Sequence, residues 1–337
     1  MSLAEAIKQA VEFRDLPPAL MDEAMETIFR GDAHEAQIAA LAVALRMKGE
    51  SPEELAAAAR VMKRHAKKVP LGEGPILDTC GTGGDGLSTF NISTVSALVV
   101  AATGVRVAKH GNRAVSSTTG SADVLEALGV SLELDADEAK RCMEQAGIVF
   151  LFAPLFHGAL RHAAPVRRAL GIRTFFNLLG PLANPAPVSH QLVGVYDGAR
   201  VRQFAEVLRA LGLTAAWAVH GEGGFDEVSP LGVTKVARLR GGEIDEFEIT
   251  PGDFGLEPVD LESLRGGDPA RNAAIARAIL AGESGPPRTA VLLNAAAALA
   301  VVHDIPLRDA AARAAEAIDS GAASGLLERF IQASHGR

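Results

Sequence analysis

From Ile76 to about residue 250, short β-rich runs alternate with helical stretches, and this alternation constrains the fold more than any other feature. The runs are Ile76–Asp78, Val105–Lys109, Val130–Leu134, Ile148–Phe152, Leu192–Tyr196 and Ala215–His220. Gly104, Gly129 and Gly147 stand where the intervening helices would end, and are expected as their C-caps. Such alternation predicts an α/β fold: a central, mostly parallel sheet flanked by helices. Val233–Arg240 and Ile244–Ile249 flank Gly241-Gly242, which predicts a hairpin inserted into or appended to that sheet. Residues 1 to about 70 instead read as helix throughout. There Ser51-Pro52-Glu53-Glu54 supplies an N-cap, a proline at the first helical position and a glutamate placed to close a capping box. Pro70, Gly72, Gly74 and Pro75 mark a linker, and helix returns from about 268 to 334. The expected division is a small helical domain over 1–70 and a larger α/β domain over 71–337.

A chain of 337 residues buries a large core. Its net charge of -8 argues against broad attraction to nucleic acid or to acidic membranes, so an anionic ligand must be held by a local site. Cys80 and Cys142 are the only cysteines, which leaves no disulfide framework and no zinc cluster. Met1-Ser2-Leu3-Ala4-Glu5 lacks the basic and apolar regions of a signal peptide. The apolar stretches Val95–Val105 and Thr289–Val302 fall short of a membrane span and read as buried helices. A cytoplasmic protein with no membrane contact is expected.

The stretch Asp78-Thr79-Cys80-Gly81-Thr82-Gly83-Gly84-Asp85-Gly86 carries the most chemistry. It follows a predicted strand and leads, through Asn91-Ile92-Ser93-Thr94, into the helix of Val95–Thr103. Glycines let backbone N–H groups approach an anion, and a helix start adds donors. Gly81, Gly83 and Gly86 also satisfy G-x-G-x-x-G, but the dinucleotide reading needs an acid about 20 residues further on. The next predicted strand ends in Lys109-His110, so a phosphate or pyrophosphate site fits better. Against a purely structural glycine turn stand Asp85, Thr89, Asn91, Ser93 and Thr94, which crowd polar groups at one junction.

Lys109-His110-Gly111-Asn112-Arg113-Ala114-Val115-Ser116-Ser117-Thr118-Thr119-Gly120-Ser121 again lies between strand and helix. Two cations, small hydroxyls and glycines suit phosphate oxygens, although a solvated polar loop has the same composition. Both loops leave a parallel sheet at its carboxyl edge, so together they suit a ligand with two phosphate ends. At that edge Gly221-Glu222-Gly223-Gly224-Phe225-Asp226-Glu227 brings adjacent carboxylates, a pair able to hold magnesium as well as to be surface charge. Pro165 is expected to break or kink the helical stretch that carries Arg161, Arg167 and Arg168. Any of the three arginines has the chemistry to pair with a carboxylate, and the residues alone do not choose among them. Phe175 to Pro185 reads as packing and turn structure. Cys80 and His157 read as a small loop residue and a hydrogen-bonded histidine.

Taken together these motifs resemble the anthranilate phosphoribosyltransferase family over nearly the whole chain. The resemblance rests on Gln37 with Ala44-Leu45-Arg46-Met47-Lys48-Gly49-Glu50, and on Gly81-Thr82-Gly83-Gly84-Asp85, Asn91-Ile92-Ser93-Thr94, Lys109-His110-Gly111-Asn112-Arg113, Arg173-Thr174-Phe175-Phe176-Asn177 and Asp226-Glu227, all in order. It implies a helical domain and an α/β domain of the nucleoside phosphorylase type, paired as a homodimer through the helical domains, with helices from about 157–185 joining them. It implies transfer of phosphoribose from 5-phosphoribosyl 1-pyrophosphate to the amine of anthranilate, with Mg2+. It places phosphoribosyl pyrophosphate against Gly81, Gly84, Asp85, Thr89, Asn91, Ile92, Ser93, Thr94, Lys109, His110, Gly111, Asn112, Arg113, Ala114, Val115, Ser116, Ser117 and Ser121. Anthranilate falls to Gly81, Asn112 and Arg167, and the metal to Ser93, Asp226 and Glu227. Two departures, Gly158 where the family often has proline and Ala114 where serine is common, bear on loop shape. No residue is assigned as a general base.

Two rival readings have their own signatures. A pyrimidine nucleoside phosphorylase would carry a lysine-threonine-serine run after the glycine-aspartate step, but Asp85 is followed by Gly86-Leu87-Ser88-Thr89. A non-catalytic, nucleic-acid-binding relative would need a basic groove and eroded motifs, against the acidic balance here.

Overall fold

The structure is a computed structural model that describes residues 2–114 and 118–336. Val115, Ser116 and Ser117, expected on the second phosphate loop, lie outside the described residues. Four helices open the chain: α1 (Leu3–Val11), α2 (Pro18–Arg30), α3 (Glu35–Lys48) and α4 (Pro52–His65). α4 starts as its sequence directs, with Ser51 Oγ accepting from the Glu54 N–H at 3.2 Å and the Glu54 carboxylate accepting from the Ser51 N–H at 2.7 Å. That carboxylate is fully buried and also takes the Leu16 N–H at 2.7 Å and Lys48 Nζ at 3.0 Å. One capping residue thereby ties α4 to the loop before α2 and to the end of α3.

Seven strands form one sheet: β1 (Leu77–Gly81), β2 (Val107–Gly111), β3 (Ile148–Phe152), β4 (His190–Gly194), β5 (Ala215–Gly221), β6 (Thr234–Arg240) and β7 (Glu243–Ile249). Their order is β3-β2-β1-β4-β5-β6-β7. The first five are parallel, and the hairpin of β6 and β7 extends the sheet antiparallel beyond β5. α5 (Ile92–Ala102) follows β1, and α6 (Ser121–Leu128) and α7 (Ala136–Ala146) lie between β2 and β3. Between β3 and β4 run α8 (Ala153–Phe156), α9 (Ala164–Leu170) and α10 (Phe175–Leu178), and α11 (Val201–Ala210) joins β4 to β5. Four helices close the chain: α12 (Pro269–Leu280), α13 (Pro286–His303), α14 (Leu307–Asp319) and α15 (Ala322–Ser334). Pro165 sits in the first turn of α9, after a short 3-10 turn over Gly158–His162, and so starts that helix.

The expected strand at Val130–Leu134 is not one. The segment has no regular secondary structure; it buries Val130, Leu132 and Leu134, which explains its period-2 pattern, but it pairs with no strand. The Ser131 N–H donates to Ser334 Oγ of α15 at 3.0 Å, so helices satisfy what a ladder would have. β3 takes the sheet edge instead.

Side chains of β5 alternate between two cores. Ala215, Trp217 and Val219 face the core shared with α5, α13, α14 and α15. Ala216 and Ala218 face the core shared with α11 and with α1 to α4, α9 and α10. The opening helices therefore pack onto the sheet through one continuous apolar core, and burial of this kind dominates folding. Among the described residues no single helix is long and apolar enough to cross a membrane. The sequence order reverses between β1 and β4, so their following loops diverge and open a crevice at the carboxyl ends, where α/β sheets place ligands.

Candidate active site

Three loops meet at that crevice. The glycine-rich turn leaves β1, the loop with Asn112 leaves β2, and Asp226-Glu227 follows β5. The Asp226 carboxylate accepts from the Gly83 N–H at 2.6 Å, and Glu227 Oε1 accepts from the Ser93 N–H, in the first turn of α5, at 3.1 Å. A β-carbon at Gly81 would strike the Asp226 carboxylate, and one at Gly194, at the end of β4, would land on the Asp226 backbone. These glycines give the acid pair its seat between β1 and β4.

Asp85, Asp226 and Glu227 form an anionic cluster. Burial, and then the charge of Asp85, holds the Asp226 carboxyl above the ordinary range. Burial, and then Asp226, raises Glu227, while Lys109 opposes the rise. Lys109 is buried, with its ammonium donating to the Thr79 carbonyl and, at 3.3 Å, to Ser93 Oγ. Mutually repelling carboxylates beside a hydroxyl suit a hard divalent cation. Among the described residues no three His, Cys, Asp or Glu side chains converge as a metal cage. That arrangement fits an ion completed by waters and by phosphate oxygens of a substrate.

Beneath this cluster Asp78, fully buried on β1, accepts from the His110 N–H at 3.2 Å and from Asn184 Nδ2 at 2.9 Å. Burial pushes its carboxyl up to about 6, against the opposing charge of Lys109. His110 lies edge-on to His157 with ring centres 5.0 Å apart. Burial lowers His110 to about 3 and His157 to about 4, so both rings are neutral near pH 7.

The crevice continues into a cleft of 510 Å³ against the helical segment. Gly81 to Gly84, Gly111 to Ala114, Met62, Leu160, Phe176 and Arg167 line it. Arg167 lies over the Phe176 ring at 5.9 Å and has no carboxylate partner among the described residues. Its neighbours Arg161 and Arg168 are exposed and do not line the cleft. An uncommitted guanidinium on an apolar wall is suited to an aromatic carboxylate.

Not every expected contact residue points its side chain at the crevice. Arg113 turns to α6, where it pairs with Asp123 at 3.0 Å and Glu126 at 2.7 Å. Asn91 spans structural groups, donating to the Thr119 carbonyl at 3.1 Å and accepting from Asn272 at 2.9 Å. Ile92 and Thr94 are buried in α5, Thr89 bridges to Arg265, and Ser121 Oγ donates to the Asn112 carbonyl at 3.4 Å. Residues given no site role from the sequence also border the site: Gly194 at the end of β4, Tyr196 just beyond it, and Arg173, a residue of the resemblance motif, before α10. Gly194-Val195-Tyr196 closes a predicted strand at the carboxyl edge, which was the available signal.

The fold and site together define a two-domain glycosyl transferase. Residues 4–66 match the helical bundle domain of the glycosyl transferase family, and residues 73–324 match its a/b domain. The chain is 52% identical over 334 residues to the anthranilate phosphoribosyltransferase of Myxococcus xanthus, covering 98% of this chain and 99% of the relative. The crystal structure of anthranilate phosphoribosyltransferase from Thermus thermophilus superposes with a TM-score of 0.93 at 44% identity, covering 98% and 99% of the two chains. The Saccharomyces cerevisiae enzyme in complex with PRPP and Mg gives a TM-score of 0.91 at 29% identity, covering 99% and 98%. The chain belongs to the anthranilate phosphoribosyltransferase family. It is a pentosyl-transferring enzyme of tryptophan biosynthesis.

Proposed function

We propose that phosphoribosyl pyrophosphate spans the loops after β1 and β2, and that anthranilate enters the cleft with its carboxylate on Arg167. The observation that carries this reading is the meeting, at one sheet edge, of the glycine-rich turn, the acid cluster and an unpaired arginine on an apolar wall. The anthranilate amine attacks C1 of the ribose. The bond from C1 to pyrophosphate breaks, and the amine proton passes to solvent. Positive charge develops on the ribose and negative charge on the leaving group. Lys109 and the backbone donors of the glycine-rich turn face that negative charge. Arg167 and the apolar wall hold the amine in line, which supplies orientation. His110 and His157, neutral near pH 7, add no competing charge to the acceptor side.

Mg2+ fits Ser93, Asp226 and Glu227, because burial raises both carboxyls, the charge of neighbouring carboxylates raises them further, and Lys109 opposes the rise only at Glu227. When bound it would neutralise charge on the leaving pyrophosphate. Gly81, Gly84, Asp85, Asn112 and the backbone from Asn91 to Thr94 complete the donor pocket in this reading. The helical domain over 1–70, with the helices of 157–185, is proposed as the homodimer surface. Val11, Phe13 and Met47, exposed by 56%, 63% and 69%, support it. Mass spectrometry of a reaction with anthranilate, phosphoribosyl pyrophosphate and Mg2+ tests the reading. N-(5-phosphoribosyl)anthranilate with equimolar pyrophosphate is expected. Turnover of pyrimidine nucleoside and phosphate in its place would overturn it.

A further inference from the structure

One residue of the glycine-rich turn, Gly83, is gripped through both of its flanking peptides. The Gly83 N–H donates to Asp226 Oδ2 at 2.6 Å, and the Gly83 carbonyl accepts from Arg173 Nη2 at 3.2 Å. Gly83 and Gly84 have φ of 71° and 78°, so neither helix nor strand geometry fixes the planes of these peptides. A β-carbon on Gly84 would overlap the Arg173 guanidinium, which means that the arginine lies directly on the turn. The guanidinium also stacks on Tyr196, 4.4 Å from the ring centre. Tyr196 is itself stapled to the turn, since its N–H donates to Thr82 Oγ1 at 2.9 Å and the Thr82 N–H donates to the Gly194 carbonyl at 2.9 Å. Among the described residues Arg173 has no carboxylate partner. Its charge is directed at one carbonyl and one aromatic face.

We infer that Arg173 is a positioning residue for Asp226, acting through the backbone of Gly83 with Tyr196 as its platform. The inference rests on the reading of Asp226 as the acid that faces metal and pyrophosphate. Asp226 is buried beside Asp85, so its orientation depends on the donors it is given. Held at its carbonyl by Arg173 and at its N–H by Asp226, Gly83 is not free to turn about its own φ and ψ, so its N–H stays aimed at the carboxylate. Arg173 therefore sets the direction of the carboxylate without touching it. Lysine at 173 would keep the charge but lose the planar stack on Tyr196.

The test uses the full chain, free of metal, with Arg173→Ala, Arg173→Lys, Tyr196→Phe and Tyr196→Leu. Exchange of the Gly83 amide with solvent, followed by NMR, should quicken about five- to tenfold in Arg173→Ala and Tyr196→Leu, as loss of about one hydrogen bond implies. Tyr196→Phe should keep the slow exchange, and Arg173→Lys should recover part of it. Electron paramagnetic resonance of Mn2+ in the presence of pyrophosphate should show a weaker Kd in the same two fast-exchanging variants, without any turnover. In the full reaction kcat should fall while the KM for anthranilate stays near that of the unaltered enzyme. Unchanged exchange and unchanged Mn2+ binding in a folded Arg173→Ala variant would overturn the inference. Absence of turnover in the unaltered protein would instead count against the proposed function, and the exchange and Mn2+ measurements would still judge Arg173.

Discussion

Gly194 lies so close beneath Asp226 that a β-carbon there would land on the Asp226 carbonyl carbon and oxygen. The two residues are far apart in sequence and are joined only by the packing of the β5 loop over the end of β4. Substitution by alanine must therefore lift the acid pair away from Ser93 and Gly83. Gly194→Ala should lower kcat on the order of 100-fold, the usual consequence of displacing reacting groups by about 1 Å. The KM for anthranilate should change little, because Arg167 lies on another wall. Steady-state kinetics on the folded variant checks both values.

Arg167 is the acceptor anchor in this account. Arg167→Ala should raise the KM for anthranilate about 10- to 100-fold, the range for losing a charge-assisted hydrogen bond. Arg167→Lys should recover only part, since an ammonium cannot pair in the bidentate way. Comparison with aniline, which lacks the carboxylate, provides the control: its already weak use should be insensitive to the arginine.

Glu227 gives a pH dependence whose sign follows from its environment. Its folded carboxyl titrates above the ordinary value, so folding favours the protonated form. Its stabilising contribution is full below the unfolded value of about 4.3 and fades as pH rises through the raised folded value. Metal-free protein should consequently lose stability from pH 5 to 8 more steeply than Glu227→Gln, which stays neutral and keeps an acceptor for the Ser93 N–H. Denaturant titrations at several pH values would show this difference in slope, and parallel curves would refute it.

Asn184 is the partner that keeps Asp78 satisfied in the core. It also donates to the Ala108 carbonyl at 2.7 Å and accepts from the Ala186 N–H at 2.9 Å. Asn184→Ala leaves these buried groups unpaired and should cost about 1–3 kcal/mol for each. Urea unfolding measures the loss. Some activity should go with it, since the Asp78 network holds the strand that carries Lys109.

Local signals were legible in the sequence. The capping box at Ser51, the glycine C-caps at Gly129 and Gly147, and the hairpin around Gly241-Gly242 depend on neighbours a few residues away. Strand–helix alternation then fixed the class and told which loops share the carboxyl edge. Two kinds of information were out of reach. Val130–Leu134 shows that period-2 burial does not distinguish a strand from an unpaired segment packed on helices. Contacts between distant segments, such as Gly194 under Asp226 or Arg113 on Glu126 and Asp123, depend on the folded register and not on any local pattern. The choice of Arg167 over Arg161 and Arg168 was likewise open to chemistry alone, and only the last two prove exposed away from the cleft.

The most direct measurement follows anthranilate fluorescence with phosphoribosyl pyrophosphate, once with Mg2+ and once with chelator. Loss of the signal is expected only with Mg2+, with pyrophosphate released in step. Folded protein that leaves the fluorescence unchanged in both cases would contradict the proposed reaction.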